Sequence, residues 1–292
     1  MKFGKGSDHI IVDKGGNEVN HVLSMLTSST TKGKRFRPYA ADAGLCATKN
    51  WLFANTEQEP TVTAATLKIY QGIGNGVEEV ITEGFEMHGD LLSTQIKLPN
   101  PPKTYGIDVG GYIDMLAYDR LKRIAAYEIK TCSSIPDKPK AGHLAQAMTY
   151  ACLGGLDVVY IVYVSRQVQA FPDPTPLVRV FELDVESMLL EYMTMIVLSC
   201  HSLRNEKAPL RPAHFRKSNE CNYCPFVQKC WNEIGFAFQD PSDSLLDYAA
   251  AEKIALELID QRKSFFHSML SNALGSAPDG EKQRIVSLMR GI

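Results

Sequence analysis

Gly111-Tyr112-Ile113-Asp114-Met115-Leu116-Ala117-Tyr118 and Ile124-Ala125-Ala126-Tyr127-Glu128-Ile129-Lys130 flank the charged stretch Asp119-Arg120-Leu121-Lys122-Arg123. Two apolar-rich runs around a short polar tip predict a β-hairpin. A hairpin symmetric about Leu121 sets Asp114 directly opposite Glu128, and facing residues of an antiparallel pair lie roughly 4.5–5.5 Å apart. Lys130 follows Glu128 by two positions, so the strand's period of two places both on one face. Two carboxylates that close repel unless one is protonated or a cation lies between them. Oxygen-rich sites of this kind suit Mg²⁺ or Mn²⁺, with the neighbouring ammonium orienting a water or stabilising charge on a phosphate. The spacing alone also fits a solvated strand face. The apolar neighbours Ala125, Ala126, Tyr127 and Ile129 instead put Glu128 in a sheet buried on at least one side, where charges are rarely left unpaired.

A second cluster is Cys221-Asn222-Tyr223-Cys224-Pro225-Phe226-Val227-Gln228-Lys229-Cys230, spaced C-x2-C-x5-C. The spacing reads as a metal or cluster loop. The sequence carries neither a secretory signal nor an apolar run of membrane-spanning length, so the expected setting is the cytoplasm, where thiols stay reduced and disulfides are rare. Structural zinc and iron–sulfur centres usually take four ligands. Cys46, in a helix start after a basic run, is the candidate fourth. Cys132, Cys152 and Cys200 lie in apolar elements and read as buried thiols, with Cys132 the nearest rival.

Together these residues resemble the RecB-like iron–sulfur exonucleases of the PD-(D/E)XK superfamily, the CRISPR-associated exonucleases and their phage-encoded relatives. The resemblance covers roughly residues 40–232. It implies an α/β restriction-endonuclease-like core, a central mixed β-sheet flanked by helices, with an iron–sulfur clasp and a C-terminal helix. By resemblance, Asp114 and Glu128 are catalytic metal carboxylates, the Ile129 carbonyl is a further metal ligand, and Lys130 is the catalytic lysine. Gln146-Ala147-Met148-Thr149-Tyr150 matches the Q-x-x-x-Y motif, giving Gln146 and Tyr150 as substrate contacts. Cys46, Cys221, Cys224 and Cys230 match the [4Fe–4S] ligands. The family's first-helix Gly-x-x-x-His is here Gly74-Asn75-Gly76-Val77-Glu78, so Glu78 takes the histidine's place as a metal ligand, as in lambda-type phage exonucleases. His88 ranks below it. The implied activity is metal-dependent DNA exonuclease action on single-stranded or frayed ends, 5′ to 3′ by resemblance only, in a bacterial or phage-infected cytoplasm. The implied partners are DNA, no membrane, and a second copy or a recombination or adaptation protein. Two alternatives stay open: an idle nuclease-fold module that binds single-stranded DNA or a partner, and a zinc-stapled endonuclease with His201 or His214 in place of Cys46.

The chain has 292 residues, is 45% hydrophobic and carries a formal charge of −2. One large core with appended helices is within reach, but there is no global basic field, so a polyanion would need local patches. Candidates are Lys32, Lys34, Arg35 and Arg37; the hairpin tip Arg120, Lys122 and Arg123; Lys138 and Lys140; and Arg211, Arg216 and Lys217. Their recurrence beside each motif suggests a shared groove.

The expected organisation is an arm at 1–38, a nuclease domain at 39–232 and a helical extension at 233–292. Helices are expected at about 39–54, at 61–85 interrupted by Gly72, Gly74 and Gly76, at 140–154, at 185–204 and at 244–271. Strands are expected at about 91–98, 107–118, 124–131, 157–164 and 177–183. In the helix at 140–154, His143, Gln146 and Tyr150 share one face, and His143 is either a substrate contact or a solvated helix-start residue. Tyr112, Tyr127 and Tyr150 are the flat side chains near the proposed site, with Tyr127 read as core and Tyr150 as the best strand contact.

Overall fold

The hairpin closes on Asp119, whose Oδ1 accepts the backbone N–H groups of Leu121 and Arg123, both at 2.8 Å, while its own N–H donates to the Arg123 carbonyl. Lys122 takes the left-handed conformation (φ 61°) that this tight tip requires. Strands β2 (Tyr112–Tyr118) and β3 (Ile124–Cys132) therefore pair Tyr118 with Ile124 and Met115 with Tyr127, symmetrically about Leu121. Continued by one residue, this register sets Asp114 across from Glu128, as the sequence spacing predicts.

The computed structural model describes residues 37–44, 46–56, 64–166, 177–203, 221, 224, 226–232 and 241–290. Elements outside the hairpin, in chain order, begin with α1 (Ala40–Ala43), α2 (Ala47–Asn55), α3 (Ala64–Met87) and β1 (Leu91–Lys97). After β3 come α4 (Ala141–Gly154), β4 (Val159–Ser165), β5 (Val178–Glu182), α5 (Val185–Ser202) and α6 (Val227–Asn232). The described chain ends with α7 (Pro241–Asp260), α8 (Arg262–Ser276) and α9 (Asp279–Arg290). The strands form one mixed sheet in the order β1-β2-β3-β4-β5, antiparallel throughout except for the parallel pair β3–β4, which α4 connects. Parallel neighbours need such a crossover.

Each face of the sheet has its own core. Val77, Ile81 and Phe85 of α3 pack on Met115, Ala117, Tyr127, Ile129 and Val162. On the other face Leu92, Leu116, Ala126 and Ile161 join Ala147, Met148 and Ala151 of α4, Ile196 of α5 and Met269 of α8. Strand β4, apolar almost end to end, is buried on both faces over Val159–Tyr163, as its composition predicts.

Four expectations need correction. The second strand starts at Tyr112 rather than 107, because Lys103–Tyr105 forms a 3₁₀ turn closed by left-handed Gly106. The first helix divides around Gly44–Cys46 into α1 and α2, where a Cβ on Gly44 would lie 3.0 Å from the Tyr192 ring. Helix α3 runs unbroken through Gly72, Gly74 and Gly76, whose added Cβ atoms would meet nothing within 4 Å; packing of Val77, Ile81 and Phe85 on the sheet outweighs their cost in propensity. The single C-terminal helix is three, with Gln261 at the first break.

Those last helices also belong to the core. Ser93 Oγ donates to the Ala273 carbonyl at 3.0 Å, and Asn272 Nδ2 to the Lys97 carbonyl at 2.8 Å. Gly155 ends α4 in the left-handed conformation (φ +65°), and a Cβ there would lie 2.2 Å from the Arg262 carbonyl. Gly155→Ala is expected to lower stability by more than about 1 kcal/mol, whereas Gly76→Ala should raise it by about 0.5–1 kcal/mol. Denaturant unfolding of the two variants checks both signs.

Candidate functional site

The register of β2 and β3 brings two carboxylates to one place, and the sheet then buries one of them completely. Glu128 has no exposed surface; Lys130 forms an ion pair with its Oε1, and the Tyr150 hydroxyl lies against the carboxylate. Asp114 Oδ2 accepts the Ile129 N–H at 3.0 Å, locking the two strands together at the site. Glu78, from α3, lies close enough that Asp114 and Lys130 both act on it electrostatically, and Gln95 donates to its Oε1. Gln95 sits in β1 with φ 49°, a local distortion that aims its amide at α3.

From the other face, α4 contributes Tyr150, fully buried beside Glu128, with Gln146 Nε2 donating to its Oη at 2.7 Å. His143, one turn earlier, holds Tyr163 Oη through Nδ1 at 2.8 Å. The structure thus gathers Glu78, Asp114, Glu128, Ile129, Lys130, His143, Gln146 and Tyr150 in one neighbourhood. Burial makes Tyr150 a buttress for Glu128 rather than a surface for a nucleic-acid strand, which corrects its expected role. Tyr127 is core, stacked on Tyr160 at 5.0 Å and tilted against Phe85 at 4.9 Å. Tyr112 is exposed, and His88 lies exposed in the turn before β1.

The electrostatics follow from burial and like charge. Desolvation, then the Asp114 carboxylate, push Glu128 up from 4.5 to about 8, against the pull of Lys130. Desolvation likewise raises Asp114 and Glu78. Burial would lower Lys130, but the Glu128 and Asp114 charges outweigh it and raise the ammonium. Among the described residues, no group of three or more His, Cys, Asp or Glu side chains is arranged to hold a metal ion. As the side chains stand, Gln95, the Ile129 N–H and Lys130 engage Glu78, Asp114 and Glu128 in turn. The donor set is nonetheless hard oxygen, and the close, desolvated carboxyls of Asp114 and Glu128 are acceptors of the kind a divalent cation satisfies.

The cysteines form a second neighbourhood where α2 meets α6. Phe53 and Phe226 pack edge to face at 4.8 Å, with Leu52, Trp51, Cys224 and Cys230 around them. Burial pushes the Cys46 thiol up to about 11, and Cys230 and Cys224 lie near enough to add to it; Cys221 acts in the same way on Cys224. Cys132 is elsewhere, buried with its Sγ against the Val164 carbonyl. His201 is engaged by the Tyr105 carbonyl at 2.8 Å, and His214 lies outside the described residues.

The expected basic groove changes. Arg123 is tied to Asp119 and Glu182, Lys122 to Asp90 and Arg37 to Asp108. Four residues of strand, Met115 to Tyr118, about 13 Å, separate Asp114 from the hairpin tip, so Arg120, Lys122 and Arg123 do not border the carboxylates. Lys32, Lys34, Arg35, Arg211, Arg216 and Lys217 lie outside the described residues.

Sequence reasoning missed Gln95 and Tyr163. Gln95 gives no signal beyond a polar residue in a strand. Tyr163 carried one: a hydroxyl inside an apolar run, level with Lys130 in the β3–β4 register.

No known family profile matches the chain, and no curated protein is similar to it. Among solved structures, one described as the crystal structure of SSO0001 aligns with a TM-score of 0.44 and 17% identity, over 73% of this chain and 96% of that one. Among the described residues, no helix is long and apolar enough to cross a membrane.

The raised carboxyl has a consequence for stability. Between about pH 4.5 and 8 the folded state keeps a proton on Glu128 that the unfolded chain has lost, so stability falls as pH rises through that window. Asp114 and Glu78, raised too, act in the same sense. Glu128→Gln is expected to flatten the fall and to stabilise the metal-free protein at pH 8. Denaturant unfolding in chelator at pH 5, 6.5 and 8 checks this.

Proposed function

We propose that the chain is a divalent-metal-dependent DNA exonuclease of the PD-(D/E)XK type, with an iron–sulfur staple between α2 and the cysteine segment. One observation carries the reading: Glu128 is wholly buried in the middle of a sheet, with the Asp114 carboxyl, the Lys130 ammonium and the Tyr150 hydroxyl gathered around it. A single buried ion pair needs one carboxyl; a second one this close adds repulsion that a divalent cation between them relieves. Asp114, Glu128 and the Ile129 carbonyl would hold Mg²⁺ or Mn²⁺, with Glu78 completing the set. The cation would supply a water of lowered pKa and neutralise the phosphoryl charge.

The chain's own residues do the rest. Asp114 and Glu128 fix the site at the meeting of β2 and β3, and Ile129 N–H orients Asp114. Lys130, held charged by the two carboxylates, positions the attacking water and stabilises the developing negative charge. Tyr150, itself held by Gln146, prevents Glu128 from swinging away. For the staple, the support is the gathering of Cys46, Cys224 and Cys230 in one neighbourhood, with Cys221 acting on Cys224.

Cleavage of labelled DNA is expected with Mg²⁺ or Mn²⁺ and not in chelator. Asp114→Ala and Glu128→Ala should each reduce the rate by about 10²–10³-fold or more with the fold intact by circular dichroism. Linear single strands should be degraded and a covalently closed single-stranded circle spared; equal cutting of both makes the activity endonucleolytic. Activity unchanged in either carboxylate variant removes the hairpin as the active site.

Protein purified without oxygen is expected to be brown and to contain iron. Cys221→Ala, Cys224→Ala, Cys230→Ala and Cys46→Ala should each lose the colour and lower the melting temperature, because cluster binding is also folding free energy. Zinc in place of iron on metal analysis would favour the zinc-stapled form, and full cluster content in Cys46→Ala would reassign the fourth ligand.

A further inference from the structure

Tyr163 lies in the middle of β4 with no exposed surface, level with Lys130 of β3. A hydroxyl buried so deeply requires partners, and it has two. The Lys140 backbone N–H donates to Oη at 3.0 Å, and His143 Nδ1 lies 2.8 Å from it. Because the Lys140 bond uses Oη as acceptor and, among the described residues, the hydroxyl meets no acceptor besides His143 Nδ1, its own proton points at that nitrogen. An imidazole that accepts at Nδ1 carries its proton on Nε2. Among the described residues Nε2 has no protein partner, and the ring is only half-buried.

We propose that Tyr163 is a positioning residue that fixes His143 as the neutral Nε2–H tautomer, and that this N–H donates a hydrogen bond to a phosphate oxygen of the DNA strand beside Lys130. The proposal rests on the nuclease reading of the site. No proton is transferred: a neutral imidazole gives up its Nε2 proton too reluctantly to act as an acid here, whereas a directed donor stabilises charge as it develops.

The surroundings keep the ring neutral. Desolvation, then Lys130 on β3 and Lys140 at the start of α4, lower His143 from 6.5 to about 4. Tyr163 faces it from β4, and Phe181 of β5 packs edge-on against the Tyr163 ring at 5.8 Å. A second cation next to Lys130 would cost more than a neutral donor and would bind DNA without direction. The arrangement therefore supplies one aimed hydrogen bond where the ammonium supplies charge.

Nitrogen-15 NMR of the imidazoles, with His143→Gln to assign the signal, tests the tautomer without reference to activity. The expected result is a neutral Nε2–H ring down to pH 5. In Tyr163→Phe, which keeps the buried ring and removes only the hydroxyl, the pKa should rise by one unit or more and both tautomers should appear. Protonation near 6.5 in the unmodified protein, or an Nδ1–H tautomer, overturns the proposal.

Cleavage kinetics test the donor. His143→Ala should lower kcat by about 100-fold with KM for DNA changed less than threefold. His143→Gln, whose amide nitrogen stands where Nε2 stood, should recover most of the loss, while His143→Asn, which mimics Nδ1, should not. Asparagine rescuing as well as glutamine, or His143→Ala at full kcat, overturns the donor role alone. A protein that cleaves no DNA with either metal ion instead overturns the nuclease reading, and the donor role with it.

Discussion

The register of one hairpin governs this molecule, and Asp119 sets it. Its carboxylate takes two backbone N–H groups and the Arg123 side chain, at 2.8, 2.8 and 2.7 Å. The bonds lower Asp119 against the opposing effect of burial, which favours the anion that holds the turn. A slip of one residue would turn every β3 side chain to the opposite face. Glu128 would leave Asp114 and Tyr150 for the apolar layer under α3, and Tyr127 would take its place. A turn built from one aspartate therefore decides which residues meet at the other end of the strands.

Burial then determines the character of what meets there. An exposed Asp–Glu–Lys cluster would be a screened ion triplet of little consequence. Inside the sheet the same groups hold one another in unusual states, with Glu128 and Asp114 reluctant to ionise and Lys130 firmly charged. The site is costly to build and stays together because β4, α4 and α5 enclose it with apolar side chains. The same enclosure takes Tyr150 out of reach of solvent and leaves His143 at the margin.

The hairpin, the buried fourth strand and the meeting of Asp114 with Glu128 were legible in the sequence because each depends on local periodicity and a turn. The neighbourhood of Cys46 with Cys224 and Cys230 was anticipated from the need for a fourth ligand and from resemblance; nothing local joins residues so distant in the chain. What sequence could not convey was depth. Tyr150 shares a helix face with Gln146, as its spacing says, but the face points into the core. The glycines of α3 read as breaks because propensity weighs against them, while the packing of Val77, Ile81 and Phe85 on the sheet holds the helix. Hairpin-tip charges read as free cations because their partners Asp90 and Glu182 are remote in sequence.

The seam between α8 and the sheet bears on how the chain is made. Ser93 finds its acceptor 180 residues downstream, at Ala273, and Gly155 packs against the Arg262 backbone. During synthesis from the amino terminus, the face of β1 that carries Leu92 and Ile96 must wait until some 180 further residues have emerged before α8 can cover it. Contacts of such long range close slowly. Over that interval a nascent chain presents an open apolar sheet face, a surface that chaperones and aggregation compete for. A ribosome stalled before residue 262 would release a protein with its hairpin and carboxylates encoded but its core unsealed.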